Sequence, residues 1–167
     1  MEGKQSDWQP LESNAEVITE YSEKLGFDAT IFKFQDLLSL EEWAQAMIPE
    51  PCLGLLFIFP ISAASKNKNE EEESNIQDDK PPEQKPFFIK QFAQNACGTI
   101  ALLHILSNID EDYQNLIKKD SILYNFLTEG KKMTPEERGR YFETHQEFRE
   151  EHTQAVNQGQ TNVKNFL

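Results

Sequence analysis

A cysteine, Cys97, stands at the head of an apolar run and follows Gln91 by six residues, within the segment Gln94-Asn95-Ala96-Cys97-Gly98-Thr99. This pairing suits acyl transfer. A thiolate attacks a carbonyl carbon, and the oxyanion that forms needs donors already aimed at it. Gln91 can offer its side-chain NH₂ and Cys97 its own backbone N–H. The sequence predicts Cys97 in the first turn of a helix, where the helix dipole favours a thiolate. Small Ala96 and Gly98 leave room for a substrate to approach the sulfur. The ordinary alternatives stay open: a thiol in an apolar helix is most often inert packing, and Gln91 would then be a solvated turn residue.

The other candidates are weaker. Cys52 lies inside a continuous apolar run and reads as packing. His104 follows Cys97 by seven residues, which is two helical turns or about 10.5 Å, and reads as a core histidine with one satisfied nitrogen. His145 and His152 are also seven apart, which is not the spacing of a helical zinc pair. No CxxC, HExxH or glycine-rich phosphate loop occurs, so neither a metal nor another cofactor is expected.

Several elements must position these residues. Ser13 and Glu16 suggest a capping box, followed by Val17, Ile18, Tyr21 and Leu25 on one helical face and Gly26 as the stop. Thr30 to Phe34 suggests a short strand. Ser39 and Glu42 open a second short helix that ends before Pro49. Cys52 to Phe59 reads as a strand buried on both faces. Residues 62–85 are acidic and polar and read as a solvated insertion. Cys97 to Leu106 is apolar nearly all round, as a central helix should be. Ser121 to Leu127 forms a short helix closed by Gly130. Thr134, Pro135 and Glu137 open a longer one, predicted to about Ala155, with Tyr141, His145, Phe148 and His152 on one stripe.

The chain of 167 residues can bury one sizeable core. Its net charge of -13, from 16 Lys+Arg against 29 Asp+Glu, argues against a nucleic-acid partner. The polar start Met1–Gln5 lacks the apolar stretch of a signal peptide. The longest apolar run is roughly half the ~20 residues of a membrane helix, so no membrane association is expected. Two cysteines without a secretory signal point to a reducing compartment, cytosol or nucleus; a monomer is expected.

Lys90-Gln91 with Gln94-Asn95-Ala96-Cys97-Gly98-Thr99-Ile100 resembles the active-site motif of the ubiquitin C-terminal hydrolases, papain-like thiol peptidases. Further segments resemble the same family in order. They are Trp8 to Asn14, Pro51 to Pro60, Met133 to Arg138, and Gly159-Gln160-Thr161 at the start of the loop that crosses the active site. The likeness is greatest to the compact, single-domain branch. It implies an α/β (α+β) fold with helices around a central sheet and one catalytic domain spanning residues 1–167. It implies a deubiquitinating hydrolase with Cys97 as nucleophile and Gln91 as oxyanion donor. Pro10, Leu11 and Glu12 would lie near bound ubiquitin.

In the family the catalytic histidine and the aspartate that orients it follow the crossover loop. Residues 156–167 read as the start of that loop and a tail, so neither residue has a matching position here and the sheet is expected to be incomplete. The second reading is therefore a catalytically incomplete, truncated form that binds ubiquitin without turnover.

Overall fold

The computed structural model describes residues 8–57 and 85–159. The acidic stretch up to residue 84, Ile58 and Phe59 of the expected strand, and Gln160-Thr161 lie outside the described residues.

Helix α1 spans Ala15–Leu25 and buries Val17, Ile18, Tyr21 and Leu25, as their spacing predicts. Its cap sits one residue later than the expected capping box. Asn14 Oδ1 accepts the backbone N–H groups of Glu16 and Val17 at 3.0 and 3.2 Å. Gly26 ends the helix at φ 111°, a left-handed turn that glycine adopts without a Cβ penalty. Helix α2 is a single turn, Glu42–Gln45. Helix α3, Cys97–Ser107, crosses the core and buries Thr99, Leu102, Leu103 and Leu106. A 3-10 turn, Glu111–Leu116, leads back to α1, where Phe27 and Ile117 form an isolated antiparallel bridge. Helix α4, Ile122–Gly130, is capped by Ser121, whose hydroxyl accepts the Tyr124 N–H.

Helix α5, Pro135–Thr144, opens with the predicted capping box of Thr134 and Glu137 and with proline in its first turn. The single long helix expected here is corrected, because the chain breaks at His145 (φ -78°, ψ 117°) and restarts as α6, Gln146–Gln158. The Thr144 hydroxyl bonds back to the Arg140 and Tyr141 carbonyls, and Arg149 donates to the Glu143 carbonyl at 3.1 Å. The Arg149 side chain thus occupies the Glu143 carbonyl that a continuing helix would offer to the Glu147 N–H. The bend lets Phe142 and Phe148 face each other at 5.3 Å. Helix α6 packs on α1, and Gln158 donates to Glu20 at 3.0 Å.

The expected α/β architecture is also corrected: among the described residues there is no strand and no sheet, only helices and extended segments. A strand exists through its hydrogen-bonded neighbours, and these segments meet side chains instead. Cys52–Phe57 crosses α3, with Gly54 against the Ile105 side chain. Leu53 and Leu56 pack on the core, while Leu55 and Phe57 are 68% and 76% exposed. The run is covered on one side, not two. Cys52 is exposed rather than packed. In Thr30–Phe34, Phe34 N–H donates to Thr19 Oγ1 at 3.0 Å, so α1 takes the place of a neighbouring strand. Among the described residues no helix is long and apolar enough to cross a membrane.

Candidate functional site

Two segments meet at Cys97, one running directly into it and one from the start of the chain. The first is Phe87–Asn95, laid along α3 by side chains one turn apart. Asn108 Oδ1 accepts the Phe87 N–H at 2.7 Å, and its amide donates to the Phe87 carbonyl at 3.0 Å. This reproduces a pair of ladder bonds with an asparagine in place of a strand. His104 Nε2 accepts the Ile89 N–H at 3.0 Å, and its ring stacks on Phe88 at 4.9 Å. Burial holds the His104 imidazole below the ordinary histidine range, and the accepting Nε2 fixes the neutral tautomer with its proton on Nδ1. The one-nitrogen core reading of His104 matches this geometry.

The same segment is clamped from its other side by α5. Lys90 N–H donates to the Pro135 carbonyl at 3.0 Å, and Arg138 donates to the Phe88 carbonyl at 3.0 Å. Gly139 lies directly under the Lys90 carbonyl, and a Cβ there would overlap that oxygen. Its absence is what lets the backbone at Lys90 and Gln91 close onto α5. Gln91 itself is exposed, and its amide donates to the Ala93 carbonyl at 2.9 Å, which closes a local turn. Asn95, at φ 63°, then swings the chain into α3. Ala96 is the N-cap and has no side chain that can cap. Cys97 is the first helical residue and is exposed.

The second segment is Trp8–Glu12. Asn95 Nδ2 donates to the Trp8 carbonyl at 3.2 Å. Leu11 is buried against Gly98, where a Cβ would stand 3.1 Å from that of Leu11. The Glu12 side chain lies against Gly159. Pro10 and Glu12 are half-buried. The structure therefore brings Trp8–Glu12, Asn95 and the head of α3 together. It leaves the Gln91 amide engaged within its own turn.

The sequence reading missed the group that joins these parts. His152 on α6 is 2% exposed. Its Nε2 lies 2.8 Å from the Gln9 carbonyl and its Nδ1 2.8 Å from Thr99 Oγ1. The Trp8 ring lies between His152, at 4.6 Å, and Phe142, at 4.7 Å. Burial pushes the His152 imidazole below its ordinary range. The available signal was a histidine on an apolar helical stripe, since a buried imidazole must find partners for both nitrogens.

Residues 8–166 match the family described as ubiquitin carboxyl-terminal hydrolase, family 1. A ubiquitin carboxyl-terminal hydrolase of Drosophila melanogaster is 37% identical over 162 residues, covering 95% of this chain and 68% of the relative. Ubiquitin carboxyl-terminal hydrolase 3 of Arabidopsis thaliana is 34% identical over 154 residues, covering 92% and 64%. Ubiquitin carboxyl-terminal hydrolase isozyme L1 of Homo sapiens is 35% identical over 156 residues, covering 92% and 67%. The chain thus spans about two thirds of the length of these relatives.

Proposed function

The chain belongs to the ubiquitin carboxyl-terminal hydrolases of family 1, a family of cysteine peptidases, and on that premise we propose that it cleaves bonds at the carboxyl terminus of ubiquitin with Cys97 as nucleophile. The observation that carries the reading is an exposed thiol on the first residue of a helix whose other faces are buried. The Cys97 sulfur bonds to the carbonyl carbon of ubiquitin's last glycine. The carbonyl electron pair moves to oxygen, where the Cys97 N–H and the Gln91 amide receive it. Gln91 takes this role by exchanging the Ala93 carbonyl for the oxyanion. Collapse expels the leaving group, which takes up a proton, and leaves a thioester that water opens to a carboxylate and a thiol. Pro10 and Glu12 offer surface to ubiquitin, and Leu11 supports them from beneath.

One observation favours the second reading, capture of ubiquitin without turnover. The imidazoles among the described residues are engaged away from the thiol. His104 lies two turns along α3 and accepts from Ile89. His152 meets Thr99, which is about 200° around the helix from Cys97. His145 stacks on Tyr141 at 4.8 Å. Loss of the base costs about 10³-fold or more in comparable triads.

A fluorogenic ubiquitin C-terminal hydrolysis assay on the 167-residue chain, with Cys97→Ala beside it and circular dichroism on both, separates the readings. Steady turnover abolished by Cys97→Ala supports the hydrolase. A folded, silent chain that binds ubiquitin in calorimetry supports capture alone. A folded chain with neither turnover nor affinity removes both.

A further inference from the structure

We propose that His152 is a positioning residue, whose imidazole bridges the Gln9 carbonyl and the Thr99 hydroxyl and thereby holds the segment Pro10–Glu12 in register with the nucleophile. This rests on the ubiquitin reading above and deepens it. With the imidazole neutral, the bridge permits one proton arrangement. A carbonyl only accepts, so Nε2 carries the hydrogen toward Gln9, and Nδ1 is left to accept the Thr99 O–H. Both nitrogens are then satisfied within a fully buried site, where Thr99 is 0% exposed.

The position of the two ends gives the bridge its meaning. Gln9 immediately precedes Pro10, and Thr99 follows Cys97 by two residues. Asn95, two residues before Cys97, holds the carbonyl of Trp8. Consecutive carbonyls of the N-terminal segment are thus pinned by residues on either side of the thiol, one directly and one through His152. An apolar side chain would fill the same volume beside Trp8 at no desolvation cost. It could not fix the segment's height along α3, which two directional bonds do.

The test uses ubiquitin whose C-terminal glycine is replaced by an α,β-unsaturated methyl ester, to whose β-carbon the sulfur adds while the α-carbon takes up the thiol proton from solvent, so that no leaving group is needed. The apparent dissociation constant for capture and the maximal trapping rate are measured separately. Thr99→Val keeps the shape and removes the hydroxyl; His152→Leu removes both bonds. Each is expected to weaken the dissociation constant about tenfold, the usual worth of one or two neutral hydrogen bonds. Alkylation of Cys97 by iodoacetamide should stay within about twofold. His152→Gln, which presents an N–H where Nε2 stood, should recover affinity to within about threefold of the parent.

Leu123→Ala serves as the control for stability alone, since Leu123 is buried in α4. If Thr99→Val and His152→Leu weaken capture no more than Leu123→Ala does, the residue is merely structural and the proposal is overturned. If the parent chain captures no ubiquitin at all, the ubiquitin reading fails, and amide exchange at Leu11 and Glu12 decides the bridge. Faster exchange there in Thr99→Val, with α1 amides unchanged, upholds it. Unchanged exchange removes it.

Discussion

Phe148 and Phe57 carry the same side chain into opposite surroundings. Phe148 on α6 is 0% exposed and meets Phe126 and Phe142 at 5.3 Å each. Phe57, at the end of the extended segment over α3, is 76% exposed. Both stand in stretches that are apolar where it should matter. The difference is that a helix repeats its apolar residues on one face and delivers that face whole to α1 and α5. An extended run that is apolar on both sides needs two layers to cover it, and among the described residues it has one. Hydrophobicity sets what a segment would gain from burial. Geometry sets whether the burial is available.

The sharpest way to break this contrast is to delete the buried ring. Phe148→Ala is expected to cost about 4 kcal/mol of unfolding free energy, the usual figure for an aromatic core truncation, measured by urea denaturation. A cost below about 1 kcal/mol would mean that the α5–α6 bend can collapse over the cavity and that the core is not close-packed. Next in size is Gly139→Ala. Its Cβ would overlap the Lys90 carbonyl, so either α5 or the Gln91 segment must move, at about 2 kcal/mol. A solvent-exposed glycine in a helix would gain stability from the same change, so the sign of the shift alone discriminates. Nuclear magnetic resonance shifts confined to residues 88–93 and α5 would locate the displacement.

Titration gives a third and smaller effect. Burial holds His104 and His152 below the ordinary 6.5. The folded chain therefore resists protons that the unfolded chain accepts. Their contribution is fully present above pH 6.5 and is lost as pH falls from there toward the folded values. Glu136 and Glu137 are shifted down as well, by hydrogen bonds at the start of α5, but they act below their ordinary 4.5 and are fully exposed. The melting temperature should fall between pH 7 and pH 5, and His152→Gln should flatten that slope. A melting temperature that rises over the same interval contradicts the neutral, doubly bonded imidazole.

The residues of the site were readable from the chain to different depths. The helix of Cys97 was legible because Ile100 to Leu106 is, His104 apart, apolar around its circumference, a pattern that suits a central helix. The α5 start was legible because Thr134, Pro135 and Glu137 each satisfy a local backbone requirement. What local pattern could not reveal is the set of long-range polar substitutions. Asn108 stands in for a strand beside Phe87, and Thr19 does so beside Phe34. The same limit explains the strand expected at Thr30–Phe34, whereas the sheet itself was implied by the family resemblance. Alternation and β-branching describe an extended backbone, but they do not name its hydrogen-bond partner, and here that partner is a side chain. His152 was placed on the correct stripe, yet its two partners lie 53 and 143 residues away.

The smallest expected effect is the most telling. Phe57→Ala should change unfolding free energy by less than about 0.5 kcal/mol, because the ring already faces solvent and its removal leaves no cavity. Leu55→Ser, at 68% exposure, should behave likewise. Yet the same two substitutions should lower any concentration-dependent association seen in sedimentation, since an exposed apolar extended segment is a pairing surface for other chains. The two measurements together constrain the segment. Unchanged stability with reduced association means that the side bearing Leu55 and Phe57 adds little to this fold, while Leu53 and Leu56 on the other side hold the segment to the core. A stability loss approaching that of Phe148→Ala would mean the segment is covered in solution, and the contrast between the two phenylalanines would vanish.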